Sequence, residues 1–373
     1  MPDLTQASAA EYDNILHGNM TPSIAAQYLR EGRIVLRSFG DVLQEVYPAP
    51  DAYRRLVEFF HADGEDNLQS TQRKIRNWIA DRHPPSNRED VFKIAFALGL
   101  NEAKLSYLLE VFGDYGIQYR NGRELVQSWF LRAGKSYREA VEFYDSLPKA
   151  EDLEFAESDE LSLLTTEIHY DLTKVGDLEE LRACYMKNLG KFGHMHLRAY
   201  FYFERFINLL IRPSAHWEER QEENYSVERV MDVYLSMRMP TGKKRDNYSV
   251  VQKLIKKNWP NATSIKNIRN HKEDVSRKLL LLLYVATENV GIGDEDIYCF
   301  DEESMGLEER IDDHWWTLNA MLNDCGMAPL DPRNAFDWLI LYAMSADEDT
   351  TMSERLEQVI GYMFEDKSDE NNE

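Results

Sequence analysis

The sequence predicts an all-α protein, and three observations predict it. Only 12 prolines and 18 glycines interrupt 373 residues that are rich in the helix formers Leu, Glu, Lys, Arg and Ala. Apolar residues recur three and four apart through much of the chain, the spacing that places them on one helical face. Ser, Thr and Asn stand where those periodic stretches begin, as helix N-caps do. With 43% hydrophobic and 29% charged residues, the chain falls in the globular class and is long enough for two or three domains.

In chain order, residues 1–20 are polar and read as loosely held, and Thr21-Pro22-Ser23 starts a helix through Ala25, Ala26 and Leu29. Apolar stretches at 34–46 and 52–60 follow, divided by Tyr-Pro-Ala-Pro. Ile75, Trp78 and Ile79 then mark a short helix whose far side carries Arg73, Arg76 and Asn77, with Gln72 and Lys74 at its flanks. Pro84 and Pro85 stop it, because proline lacks the amide proton and pushes its predecessor out of helical geometry. Ser86 or Asn87 caps the next helix, which has Glu89 and Asp90 in its first turn and Val91, Ile94, Ala95 and Leu98 as its buried stripe. Asn101 opens a helix through Leu105, Leu108, Leu109 and Phe112, ended by Gly113. Asn121 with Glu124, and Ser136 with Glu139, read as capping boxes.

The first module therefore spans 1–147, with its turn unit at about 51–100. An acidic break at 149–160 falls in a helical middle region, 148–240, with helices at 161–175, 178–192 and 195–211. The last of these is aromatic all round, which places it centrally. A second module spans 241–366 before an acidic tail at 367–373. Leu109, Gly113, Arg120, Asn121, Glu124 and Trp129 match Leu322, Gly326, Arg333, Asn334, Asp337 and Tyr342 without a gap. Upstream, Ile265 and Ile268 precede KEDVSRKLLLLLYVA as Ile75 and Trp78 precede REDVFKIAFAL, with an acidic insertion at 293–313 between the halves of the second copy. Repetition at this scale predicts one supersecondary unit used twice.

Ile75, Trp78, Pro85 and Ser86, followed by FKIAFALGL, resemble the back half of a lambda-repressor-type (XRE-like) helix-turn-helix over about thirty residues. In that family the helix before the turn is the recognition helix and the Pro-Ser pair opens the next. The chain departs from the family at Ile79 and Asp81, where a glutamate and a glycine are usual, and lacks the Leu-Ala-x-x-x-Gly signature of the preceding helix. The Arg-Asn-plus-acid pattern is also similar to that of uncharacterised bacterial, Firmicutes-type proteins, a resemblance that implies no activity. The fold class expected is thus all-α, with two related helix-turn-helix-like modules flanking a helical middle region.

The resemblance implies a non-enzymatic DNA-binding, transcriptional regulator-like protein acting on double-stranded DNA. Gln72, Arg73, Arg76 and Asn77 would reach base edges, and Lys74, Arg82 and Arg88 phosphates; the second copy would add Lys266, Asn267, Arg269 and Asn270, with Lys256 and Lys257 on phosphates. A net charge of −23 argues against nonspecific adhesion to nucleic acid. Its distribution argues the other way: five Lys/Arg stand against one acid from 73 to 88, and eleven against three from 243 to 278. The other reading is a protein–protein interaction scaffold whose modules have lost DNA binding, meeting a protein partner through the acidic surface.

No enzyme signature is present: GxxxxGK[ST], GxGxxG after a strand, GxSxG and HExxH are all missing. His194 and His196 lie two apart, roughly 200° around a helix, and cannot share a metal. Arg120 and Arg333, each before an Asn cap, read as loop-fixing residues bonded to carbonyls rather than as anion clamps. No catalytic residue, metal or cofactor is therefore assigned. Cys184, Cys299 and Cys325 are too scattered for a disulfide framework or a zinc ribbon, and Cys325 reads as buried. The N-terminus lacks the features of a signal peptide, and the longest apolar run, 279–286, is far short of the ~20 residues a bilayer needs. A cytoplasmic location with no membrane partner is expected.

Overall fold

In the computed structural model, the side chains of Thr21, Asn87, Asn101, Ser136, Ser249 and Asn334 accept hydrogen bonds from the first turns of the helices they precede. Each satisfies a donor that a helix start leaves bare. The structure describes residues 5–64, 67–80, 82–112, 115–149, 165–193, 197–212, 224–242, 247–288, 306–346 and 350–365, and every regular element among them is helical. Gly113, the histidines at 194 and 196, Cys299, the acidic tail and most of the acidic break and insertion lie outside the described residues.

Two compact units divide the chain, and they do not follow the three sequence segments. One is residues 37–197 with 326–328; the other, the split unit, is 1–36, 198–325 and 329–373.

The 37–197 unit begins with α3 (Phe39–Val46), α4 (Ala52–Ala62), α5 (Leu68–Ile79), α6 (Arg88–Leu98) and α7 (Glu102–Phe112). They share one core, in which Val42, Leu56, Phe60, Ile75, Trp78, Val91, Ile94 and Leu105 are buried. A second core joins α8 (Gly122–Arg132), α9 (Tyr137–Asp145), α10 (Thr165–Thr173) and α11 (Leu178–Asn188) through Leu125, Trp129, Phe130, Leu172 and Tyr185. The box at Ser136 and Glu139 forms. The one expected at Asn121 does not: Asn121 Oδ1 accepts the Arg123 and Glu124 amides, but the Glu124 carboxylate turns away to a stronger, charged partner, Arg88.

In the split unit residues 5–20 are not loose. They form α1 (Gln6–His17), whose Tyr12 and Ile15 are buried beside two buried polar groups, Ser8 and Glu11. The polar pair hid the helix from an apolar-periodicity reading. Glu11 accepts from the hydroxyl of Tyr28 at 2.8 Å, the amide of Val35 at 3.3 Å and the indole N–H of Trp338 at 3.3 Å. This ties α1 to α2 (Pro22–Arg30) and α18 (Ala335–Met344). Helix α12 (Leu197–Ile211) buries Phe203, Phe206 and Leu210 but leaves Phe201 54% exposed, so it is amphipathic and one-sided, not central. The rest comprises α13 (Val227–Val230) running into a π-helical turn, α14 (Val250–Asn258), α15 (Ala262–Arg269), α16 (Arg277–Thr287), α17 (Leu307–Asp324) and α19 (Met352–Phe364). The end of the expected acidic insertion is therefore the first turns of α17. Helices α16 and α18 are buried nearly all round.

Each unit contains a buried arginine–carboxylate clamp. Arg88, the first residue of α6, places Nε 2.7 Å and Nη2 2.8 Å from the Glu124 carboxylate, and also donates to the carbonyls of Tyr115 and Gly116; the Gln118 amide donates to Glu124 as well. Arg277, the first residue of α16, donates to Asp337 at 2.6 and 2.7 Å and to the Pro329 carbonyl, and the Asp331 amide donates to Asp337. The Ile117 amide donates to Ser106, and the Leu330 amide to Asn319. From 106/319 to 129/342 these partners keep one constant chain spacing. Upstream the sequence register is corrected: Arg277, five residues beyond Lys272, takes the role of Arg88, because what counts is the first helical position behind the caps Asn87 and Ser276.

Candidate nucleic-acid interface

Helix α5 starts at Asn67, whose Oδ1 accepts the Gln69 and Ser70 amides at 2.9 and 3.3 Å. Thr71, Ile75 and Trp78 face the core, where the Trp78 ring meets Phe60 of α4 edge-on at 5.3 Å. The helix ends where the amides of Arg82 and His83 both turn back to the Asn77 carbonyl. Pro85 is then buried ahead of the Asn87 cap. Ile79, expected in the apolar stripe, is 36% exposed.

The face opposite Ile75 and Trp78 carries Gln69, Arg73 and Arg76 at spacings of four and three, all exposed, with Gln72 and Asn77 half-buried beside them. Arg76 Nε donates to the Gln72 carbonyl at 3.2 Å, which lays its side chain along the helix. Arg73 and the exposed Arg82 meet no carboxylate among the described residues. Gln69 is a member of this face that the sequence analysis did not include; its spacing from Arg73 and Arg76 was the available signal.

Two residues assigned to phosphates are half-buried and held by carboxylates instead. Lys74 Nζ lies 3.3 Å from Asp90 and over the rings of Phe60 and Trp78 at 5.0 and 4.9 Å, so it pins α5 to α6 and α4. Arg88 is committed to its clamp. Both read as surface cations because sequence shows charge but not direction.

The second basic island is arranged differently. Lys266 is ion-paired with Glu228, Asn267 donates to Glu273 at 2.6 Å, and Arg269 lies 3.8 Å from Glu204. Glu273 also accepts from Ser264 at 3.1 Å. Lys256 sits half-buried over the Tyr248 ring at 5.4 Å, while Lys257 and Asn270 are exposed. Three of the four groups placed to read bases are thus held by carboxylates. Arg333 donates to the carbonyls of Val35 and Leu36, a loop-fixing role as expected, although the loop is not the one preceding it.

Elsewhere two titratable groups, His314 and Cys325, are deeply buried. His314 is buried against the Tyr284 hydroxyl at 2.7 Å, and burial with Arg310 nearby lowers its pKa to about 4. Burial, with Asp324 adjacent, pushes the Cys325 thiol up to about 12. Among the described residues no group of three His, Cys, Asp or Glu could hold a metal, and no helix is long and apolar enough to cross a membrane. The chain matches no family model, no curated protein and no solved structure.

Proposed function

We propose that this chain binds double-stranded DNA through α5 and uses its second module as structure. Arg73, Arg76 and Arg82 carry the reading: they are exposed cations without carboxylate partners among the described residues, on and just after the helix that the helix-turn-helix resemblance makes the recognition helix. Gln69, Gln72, Arg73, Arg76 and Asn77 suit base edges, and Arg82 a phosphate. Leu68 and Ile79, exposed on one edge of the same helix, suit the methyl groups of thymine. The matching clamps, caps and loop bonds of the two modules support their origin in one duplicated unit.

Glu228, Glu273 and Glu204 favour a different use for the second copy, since they neutralise its basic helix and leave a mixed polar face of the kind a protein partner meets. The test is retention of random duplex DNA across a salt series. Arg82, the one arginine placed on a phosphate, gives a slope of log K against log salt of about −1. Arg73→Glu with Arg76→Glu abolishes retention, and Lys266→Glu with Arg269→Glu leaves it intact. Equal retention by the first double variant, or none by the wild type even at low salt, overturns the reading and leaves the scaffold.

A further inference from the structure

Within the split unit, the end of α2, the start of α14 and the end of α19 surround an open cleft of about 410 Å³, within the roughly 300–1,000 Å³ range of small-molecule sites. Its lining includes Arg30, Glu31, Tyr248, Gln252, Phe364 and Glu365. Tyr248 and Phe364 are buried and meet edge-to-face at 5.3 Å, giving it an aromatic floor.

Most of the polar lining is already satisfied. Gln252 donates to the Met363 carbonyl at 2.7 Å and accepts the Ser249 amide at 2.8 Å. Glu31 takes Gln27 on one oxygen and Arg33 on the other, both at 2.6 Å, and these contacts hold its carboxyl below the usual range. Two charges remain. Arg30 and Glu365 have no ion-pair or side-chain hydrogen-bond partner among the described residues, and although they line the same cleft they do not pair with each other.

A cation and an anion held apart over an aromatic floor are complemented by a molecule carrying both opposite charges and an apolar group. We propose that this cleft binds a zwitterionic α-amino acid with a large apolar side chain. Arg30 holds its carboxylate, Glu365 its ammonium, and Tyr248 and Phe364 its side chain. The start of α14 favours an anion and the end of α19 a cation, while the end of α2, which also favours a cation, is met by Arg30 itself. The site stands independently of DNA binding.

The test is calorimetric titration of the full chain with L-phenylalanine, 3-phenylpropionate, which lacks the ammonium, and phenethylamine, which lacks the carboxylate. L-leucine and L-tryptophan are included so that a misfit of one ring size is not mistaken for failure. The zwitterion should bind about five-fold or more tightly than either truncated analogue. Arg30→Gln should erase the preference for phenylalanine over phenethylamine, and Glu365→Gln the preference over 3-phenylpropionate. Neither side chain is in the core, and an unchanged unfolding midpoint confirms that each variant folds. Silence from all three amino acids at millimolar concentration, equal binding of the analogues, or variants that keep the wild-type preferences would overturn the proposal.

Discussion

Replacing Asp337 with alanine removes both oxygens that Arg277 reaches at 2.6 and 2.7 Å and the acceptor of the Asp331 amide at 2.9 Å. The arginine and aspartate side chains are 4% and 1% exposed, so water does not replace what is lost. Removing one partner from a buried ion pair costs about 3–5 kcal/mol, most of it from the charge left behind. Glu124→Ala in the other clamp should cost less, about 2 kcal/mol, because the Arg88 side chain is 23% exposed and can be partly rehydrated. Replacing both members, with Arg277→Met and Asp337→Leu, should recover much of the loss, since apolar groups of similar volume need no compensation. Urea unfolding followed by tryptophan fluorescence and circular dichroism reads all three. Each clamp lies wholly within one unit, so Asp337→Ala should lower the transition of the split unit and Glu124→Ala that of the 37–197 unit. A loss below about 1 kcal/mol for Asp337→Ala, typical of a surface pair, would refute the view that the clamp is a buried structural element.

Three further outcomes are expected. His314 is neutral in the fold while the unfolded chain takes up its proton below 6.5; stability is therefore full above that pH and declines toward pH 4, by about 3 kcal/mol. Unfolding measured across that window should show the slope, and His314→Gln should flatten it; an identical slope in the variant would assign the effect elsewhere. Gly122→Ala would place a Cβ 2.8 Å from Tyr185 and 3.1 Å from Phe192, so it should destabilise by about 1–3 kcal/mol, opposite in sign to the usual helix preference for alanine. A stabilised variant would show that the ring shelf yields. Cys325, fully buried and with a raised thiol pKa, should resist iodoacetamide until the chain unfolds, and peptide mapping that finds early labelling at this position would contradict its burial.

Local rules made much of the helix pattern legible. Asn87, Asn101 and Ser136 act as caps because a short polar side chain before an apolar stripe has few better uses. Long-range choices were not legible. Glu124 has the spacing of a capping box, but its partner is an arginine thirty-six residues away. Lys74 and Arg88 look like phosphate contacts until folding turns one over two rings and the other into a clamp. The same holds for the second basic island, whose charges meet carboxylates on α12, on α13 and in the loop after α15. On α5 the outward direction of Arg73 and Arg76 followed from Ile75 and Trp78, and Gln69 followed from the same spacing once the helix began at Leu68.

Trp129 and Tyr342 occupy matching places in α8 and α18, and each donates to a carbonyl in the link between two helices: Val175 between α10 and α11, Met20 between α1 and α2. In the first case the helix pair follows its module along the chain; in the second it precedes its module. All but three residues of the 37–197 unit leave the ribosome in one continuous stretch, so this unit can close while translation continues. Helices α1 and α2, with Ala25, Ala26 and Leu29 awaiting cover, are synthesised before the helices that cover them. Their partner Tyr342 is 322 residues away, and α19, which packs on α2, ends at Phe364. Closure of the split unit therefore has to wait for α18 and α19, and α1 and α2 are what a chaperone would have to shelter meanwhile.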